Sequence, residues 1–262
     1  STNENLGDIL QDQSINYLKN YGPGNLSSIS SRGGNAQQTS LIYKDFVLNN
    51  PLNGIVDFST IPACFFKDIN IIYGLPSSNW GNGGLAGAIL LENNNQTIHK
   101  SEIEYGNTFG SFNQKTNYLK LSFKENRFTH STKIFHKIAT NNYPFKNQNL
   151  EIDRQINSAI NHTAIMSESN LILNENNHLN VVYFGQKLNR EIPPSLGEGL
   201  TNAFQKDINH RIFFSYTKLE EKFKLNLKSA FYDEQNTYID SLRSIYGYNP
   251  CKSLINQIEL KS

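Results

Sequence analysis

The stretch Ser27-Ser28-Ile29-Ser30-Ser31-Arg32-Gly33-Gly34 continues through Gln38-Thr39-Ser40-Leu41-Ile42-Tyr43 and ends in Leu48-Asn49-Asn50-Pro51. Two β-like runs within it, residues 28–31 and 40–43, flank the glycine pair. Paired glycines adopt positive φ without steric cost, so they favour a tight turn. We therefore expect the chain to double back here between two short strands.

Composition excludes some classes of protein. The longest apolar run spans about eight residues, too short for the roughly 20 that a membrane helix needs. Composition does not exclude a β-barrel, because barrel strands alternate between apolar and polar faces. The mean hydropathy of −0.51 and the 11% aromatic content fit that pattern, and they also fit a soluble β protein. With a net charge of +1 the chain has no broad basic field, so nucleic acid is not expected as a partner.

The first third of the chain shows mixed patterns. Apolar spacing at Leu6, Ile9 and Leu10 predicts a short amphipathic helix over residues 6–13. A strand is expected at 15–18, a Pro- and Gly-rich loop at 21–25, one helical turn at 57–62 and a further strand at 68–74.

A glycine-rich segment follows at residues 77–91. Gly81, Gly83 and Ala86 match the dinucleotide fingerprint, which needs a helix opening at its glycines. Here the apolar run 89–91 leads straight into the turn residues 92–95, which indicates a short strand. We therefore reject a dinucleotide site.

These segments, in this order and spacing, resemble the plug of TonB-dependent outer-membrane receptors, especially the cobalamin-type branch. The matching segments are 5–10, 29–33, 69–74 and 78–89. Asn70 and Tyr73 depart from the pattern, since the family has Glu and Arg there, and Ala86 and Ala88 replace small or branched residues. The resemblance covers roughly 90 residues, and we assign 1–95 to a plug domain.

The resemblance also implies functional residues. Arg32 would contact the barrel wall, because plug arginines of the family pair with acidic groups there. The expected ligand contacts lie in two loops: Tyr21, Gly22, Asn25, Leu26, Ser27, Asn49, Asn50, Leu52 and Asn53.

The remaining residues, 96–262, show the period of two that is typical of β-strands. Seven strands are expected, with an eighth beginning near Ser253: 102–105, 119–123, 131–138, 163–173, 179–185, 211–218 and 223–228. Tight polar turns at 125–127, 174–177 and 219–222 alternate with long connections at 141–157, 191–207 and 233–252.

Outer-membrane barrels combine short periplasmic turns with long extracellular loops. The long connections would therefore face outward, and Lys120, Lys224, Asn226 and Lys228 would face the lumen. Eight strands cannot enclose a plug, whereas plug-holding barrels have about 22. The expected fold is mainly β: an α+β plug that lacks its N-terminus, followed by an incomplete antiparallel transmembrane barrel, 96–262, that has about eight of about 22 strands and lacks its C-terminus.

The function expected from the resemblance is energised uptake of a scarce large nutrient at the cell outer membrane, with cobalamin as first choice. A ferric siderophore receptor is the alternative, and a non-transporting surface β-rich binding module is the rival from another class. Expected partners are an inner-membrane TonB-type energy complex, outer-membrane lipid, the small-molecule nutrient and a surface lipoprotein. No catalytic arrangement, metal-ligand spacing or cofactor motif is found, and Cys64 and Cys251 show no pairing pattern.

Overall fold

The computed structural model describes residues 5–13, 17–20, 26–30, 35–51, 53–73, 87–93, 101–147, 150–194 and 200–261. The chain divides into two compact units, Ser1–Gln96 and Thr97–Ser262. In the described residues, no helix combines the length and apolar character that crossing a membrane requires.

The first unit begins with helix α1, Leu6–Gln13, where the sequence predicts it. Asn5 caps the helix, since its side-chain oxygen accepts from the Asp8 amide at 3.0 Å. Leu6 and Leu10 are fully buried, which explains the i, i+4 apolar spacing. Strand β1, Tyr17–Asn20, then pairs antiparallel with β2, Ser27–Ser30, so the first strand lies two residues later than predicted.

A separate four-stranded sheet contains β3, Thr39–Tyr43; β4, Phe46–Val47; β5, Asp68–Ile72; and β6, Gly87–Glu92, in the order β4-β3-β6-β5. Strands β2 and β3 belong to different sheets and do not pair with each other; the turn expected between them, at Gly33 and Gly34, lies outside the described residues. All five residues of β3 are buried. A strand buried on both faces needs a partner at each edge, and β3 finds them in β4 and, parallel to it, β6.

A 3-10 helix at Ala36–Gln38 precedes β3, and two further 3-10 helices, Phe58–Thr60 and Ala63–Phe65, complete the described part of this unit. The predicted helical turn is the first of these two. Both contribute to a core with α1 and β2, in which Leu10, Ile29, Phe58 and Phe65 are at most 1% exposed.

The second unit is one antiparallel eight-stranded sheet, as the period of two predicts. Tight turns at 126–127, 175–176 and 220–223 join its strands at one end, as predicted. Its strands, in chain order with a small hairpin β10–β11 inserted, are β7, Ser101–Phe109; β8, Lys115–Glu125; β9, Phe128–Ala139; β10, Pro144–Lys146; β11, Ile152–Arg154; β12, Ile160–Asn174; β13, Asn177–Glu191; β14, Phe204–Leu219; β15, Lys224–Asp240; and β16, Ile245–Lys261.

We call the opposite end of this sheet the loop end; its connections are 110–114, 140–159, 192–203 and 241–244. The predicted long connections near 141–157 and 191–207 lie there. The third, 233–252, is wrong: β15 and β16 pair from Asp240 and Ile245 onward and need only a four-residue turn. The polar run after Asp233 resembles a loop in composition, but it alternates across a strand.

Candidate functional site

The predicted ligand contacts are only partly within the described residues. Tyr21, Gly22, Asn25 and Leu52, together with the predicted barrel contact Arg32, lie outside them. The positions of Leu26, Ser27, Asn49, Asn50 and Asn53 are described below.

Asn49 is committed to the backbone of its own domain. Its side-chain oxygen accepts from the Leu41 amide at 3.0 Å, and its NH2 group donates to the carbonyls of Thr39 at 3.0 Å and Gly54 at 2.8 Å. Both amide hydrogens are therefore used in hydrogen bonds to the backbone, which is common for Asn side chains in turns. Asn49 fixes the loop against β3 rather than presenting donors to a ligand.

The loop after Asn49 is held in a defined turn. The Gly54 amide donates to the Asn50 carbonyl at 2.8 Å, and Gly54 has φ 71°, a conformation that favours glycine. The Asn53 side chain accepts from the Ile55 amide at 2.9 Å, while its carbonyl accepts from Gln37 Nε2 at 2.9 Å. Asn53 is exposed and Asn50 half-buried, so the turn presents these two residues on a fixed backbone.

Ser27 is a buried packing residue. It is 2% exposed, and a Cβ at Gly7 would lie 2.7 Å from its Oγ. Its amide donates to Asp57 Oδ1 at 3.1 Å, and the same oxygen caps the 3-10 helix by accepting from the Ser59 amide at 3.1 Å. Asp57 therefore ties the base of the first loop, where Leu26 is half-buried, to the segment that follows the second loop. Sequence reasoning missed this tie, although an Asp before a helical turn is a common cap.

The eight-stranded sheet has two different faces. Residues in register share a face, and one row across what we call the polar face contains Glu104, Lys120, Lys133, Met166, Phe184, Arg211, Tyr232 and Ser253. The adjacent row, on the apolar face, contains Ile103, Leu121, Thr132, Ser167, Tyr183, Ile212, Phe231 and Leu254.

Exposure is inverted relative to a water-soluble sheet. On the apolar face Leu121, Ile212 and Leu254 are 40%, 43% and 65% exposed, whereas Arg211 and Glu234 on the polar face are 5% and 6% exposed. Soluble proteins almost never bury charges while leaving neighbouring aliphatic rows uncovered. A barrel wall with lipid outside and a polar lumen has this arrangement.

The lysines predicted to face the lumen lie on the polar face, as expected. Lys120 Nζ lies 3.1 Å from Glu102 Oε2 on β7. Asn226 donates to Glu259 Oε2 at 2.8 Å, and Lys228 Nζ lies 3.7 Å from that oxygen. Lys224 shares this face, because it is two residues from Asn226 on the same strand.

A buried cation at Arg211 was not predicted from the sequence. Its Nη2 lies 2.5 Å from Glu234 Oε1 and its Nε donates to the same oxygen at 2.6 Å. Its guanidinium carbon lies 5.9 and 5.6 Å from the ring centres of Phe184 and Tyr232, within the range of a cation–π interaction. Four side chains thus join β13, β14 and β15. Alternating polarity alone could not distinguish this pair from exposed charges.

Comparison with known proteins identifies the first unit. Residues 1–88 match the family model of the TonB-dependent receptor plug domain. The first unit therefore resembles the TonB-dependent receptor plug domain over the matched residues. No curated protein matches the chain.

Solved structures align with the plug and the following sheet together. The FrpB iron transporter from Neisseria meningitidis matches with TM-score 0.75 and 13% identity, over 99% of this chain and 43% of its own. The siderophore receptor PiuA from Acinetobacter baumannii matches with TM-score 0.68 and 13% identity, over 99% of this chain and 40% of its own. The ferric-catecholate import receptor Fiu from E. coli matches with TM-score 0.66 and 12% identity, over 98% of this chain and 43% of its own. The chain thus spans about two fifths of these structures' length and shares their fold.

These matches bear on the expectations from the sequence. The resemblance to TonB-dependent outer-membrane receptors, the fold class and the location in the cell outer membrane are confirmed. The plug family and the aligned structures are receptors and transporters by name, in agreement with a chain that is not an enzyme. The narrower assignment to cobalamin finds no support among them.

Proposed function

We propose that this chain acts in a receptor that takes up a scarce, large nutrient across the outer membrane, and that the nutrient is a ferric siderophore rather than cobalamin. The observation that carries the proposal is the plug domain followed by an antiparallel sheet with buried charges on one face and exposed aliphatic side chains on the other. The choice of ferric chelate is supported by the names of FrpB, PiuA and Fiu. Iron is cargo here, not a resident metal.

In this proposal the ligand binds from outside, on the plug loops and the loop end of the sheet, and an inner-membrane TonB-type complex supplies the energy. The burial of Ser27 and the two hydrogen bonds donated by the Asn49 NH2 group favour a smaller set of proposed contacts than the sequence suggests. They are Tyr21, Gly22, Asn25, Leu26, Asn50, Leu52 and Asn53, with Ser27 and Asn49 as positioning residues. Outer-membrane lipid and a surface lipoprotein are proposed as further partners, and Arg32 as the contact with the barrel wall.

Growth of a strain that lacks the full-length gene tests the uptake function. Complementation should restore growth on a ferric siderophore as the only iron source, and disruption of the TonB complex should abolish that growth. Cobalamin-limited growth should not depend on the gene. Restored growth only under cobalamin limitation would overturn the choice of ligand, and growth independent of the TonB complex would overturn energised uptake.

Two substitutions in the plug distinguish a residue that contacts the ligand from one that positions the loop. Asn53→Ala should weaken siderophore binding to the full-length receptor and leave its thermal unfolding unchanged, because the Asn53 side chain is exposed and makes one local hydrogen bond. Asn49→Ala should lower the unfolding temperature as well, since three hydrogen bonds are lost. Unchanged affinity in Asn53→Ala would remove Asn53 from the proposed site.

A further inference from the structure

Asn157 closes the base of the connection 192–203 at the loop end. It adopts φ 50°, and its side-chain NH2 donates to the carbonyls of Ile192 at 2.7 Å and Ala203 at 2.9 Å. The Ile192 amide also donates to Ala203 at 2.9 Å. One side chain in the connection 140–159 therefore holds both ends of the next connection, 35 and 46 residues further along the chain.

The residue after Asn157 continues the hydrogen bonds toward the first turn. Ser158 Oγ lies 3.1 and 3.0 Å from the carbonyls of Thr140 and Asn141 and donates to them. Asn141, which is 5% exposed, returns a hydrogen bond from its NH2 group to the Ser158 carbonyl at 3.0 Å. The amide and hydroxyl of Thr140 both donate to the Phe112 carbonyl, at 3.0 and 2.6 Å. Connection 140–159 is thereby joined to turn 110–114.

The series extends equally in the other direction. The Ala203 amide donates to Thr201 Oγ1 at 3.0 Å, and that hydroxyl donates to Asp240 Oδ2 at 3.1 Å. Asp240 is completely buried. Asn202 donates to the Ser241 hydroxyl, and its oxygen accepts from the Leu242 amide at 3.2 Å. Connection 192–203 is thus joined to turn 241–244.

We propose that these hydrogen bonds form a rim that makes the four connections of the loop end one cooperative unit, with Asn157 as its central positioning residue. The bonds of Thr140, Asn157 and Asn202 join different connections, so none of the four can rearrange at these residues without losing a partner in the next. Ordering one connection therefore reduces the conformational entropy that is lost when another is ordered. The proposal does not depend on the ligand.

Hydrogen exchange of the full chain in lipid or detergent, measured with and without Asn157→Gly, tests the rim. Glycine keeps the left-handed backbone and removes only the amide. The matched control is Asn126→Gly, because Asn126 has φ 47° in a turn at the opposite end of the sheet. The amide of Thr140 reports on the link between connection 140–159 and turn 110–114, and the amide of Leu242 reports on the link between connection 192–203 and turn 241–244. Asn157 hydrogen-bonds to neither amide.

Asn157→Gly should accelerate exchange at both Thr140 and Leu242 by about fivefold or more, since an amide opens with the cooperative unit to which it belongs. The control should leave both unchanged. Acceleration confined to residues 157–159, 192 and 203 would overturn the proposal, as would equal effects of the two variants.

A second variant keeps the test decisive if Asn157→Gly does not fold. Thr201→Val removes the hydroxyl that links Ala203 to Asp240 and keeps a similar shape. It should accelerate exchange at Thr140, in the neighbouring connection 140–159. Exchange at Thr140 equal to that of the unmodified chain would refute a cooperative rim.

Discussion

Replacing Glu234 by alanine should cause the largest loss of stability among single charge deletions in the eight-stranded sheet described above. The substitution removes the carboxylate whose Oε1 lies 2.5 Å from Arg211 Nη2. Only 6% and 8% of the two side chains are exposed, so water cannot replace the missing partner. Removing one partner of a buried pair costs about 3–5 kcal/mol.

Two control variants test whether that loss of stability comes from the unpaired Arg211 charge. The double variant Arg211→Met/Glu234→Leu removes both charges and keeps apolar contact with Phe184 and Tyr232; such replacements are often neutral. Glu102→Ala deletes a carboxylate 3.1 Å from Lys120, where the side chains are 38% and 21% exposed. An exposed pair contributes about 0–1 kcal/mol, so this variant should change little.

Urea unfolding of the full chain, refolded into lipid vesicles and followed by far-UV circular dichroism, which reports on the β-sheet, measures these differences. With a slope of about 3 kcal/mol/M, the midpoint of Glu234→Ala should fall by about 1 M or more. The double variant should stay within about 0.5 M of the unmodified chain. If the double variant falls as far as Glu234→Ala, the stability comes from packing or from hydrogen bonds of the side chains themselves, and the argument from an uncompensated charge is refuted.

Three further substitutions have defined outcomes. Gly7→Ala should destabilise the plug by about 1–3 kcal/mol in thermal unfolding, because its Cβ would lie 2.7 Å from Ser27 Oγ, and Gly7→Ala/Ser27→Ala should recover most of that loss. Gly185→Ala should displace the Tyr183 ring, which occupies the space of the missing Cβ, and change near-UV circular dichroism. Asn49→Asp should cost about 1–3 kcal/mol, since the carboxylate cannot donate to two carbonyls.

The strands of the second unit could be predicted because apolar and polar residues alternate with a period of two. The alternation also places Lys120 and Asn226 on one face, as the registers confirm. The alternation did not predict the strand beyond Asp233, where β15 continues with polar residues on both faces. Hydrophobic pattern marks the part of a strand that lies against lipid or core; an extension held mainly by backbone pairing has no such signal.

In the plug, sequence patterns could predict local elements but not the pairing of distant strands. Local patterns predicted α1 and the 3-10 turn after Asp57, whose determinants lie within a few residues. The pairing of β3 with β6 is parallel and joins residues nearly fifty positions apart, so turn chemistry at the glycine pair could not reveal it. The functional assignment of Asn49 was limited in the same way. An Asn in a turn is equally suited to a ligand and to the backbone, and the sequence does not reveal that its NH2 group donates to the carbonyls of Thr39 and Gly54.

Asparagine gives this chain a common structural principle. Asn49 fixes the second plug loop, Asn141 joins the two ends of connection 140–159, and Asn157 joins that connection to the next. Each does so by donating to backbone carbonyls. A primary amide offers two donors without a charge, so these ties avoid the desolvation cost of a buried ion and are insensitive to screening by salt. Charged pairs are found on the polar face of the sheet, as at Lys120 and at Arg211, and also at the loop end, where Arg243 lies 3.6 Å from the buried Asp240. The hydrogen bonds of the three asparagines should therefore persist at salt concentrations that weaken the exposed ion pairs.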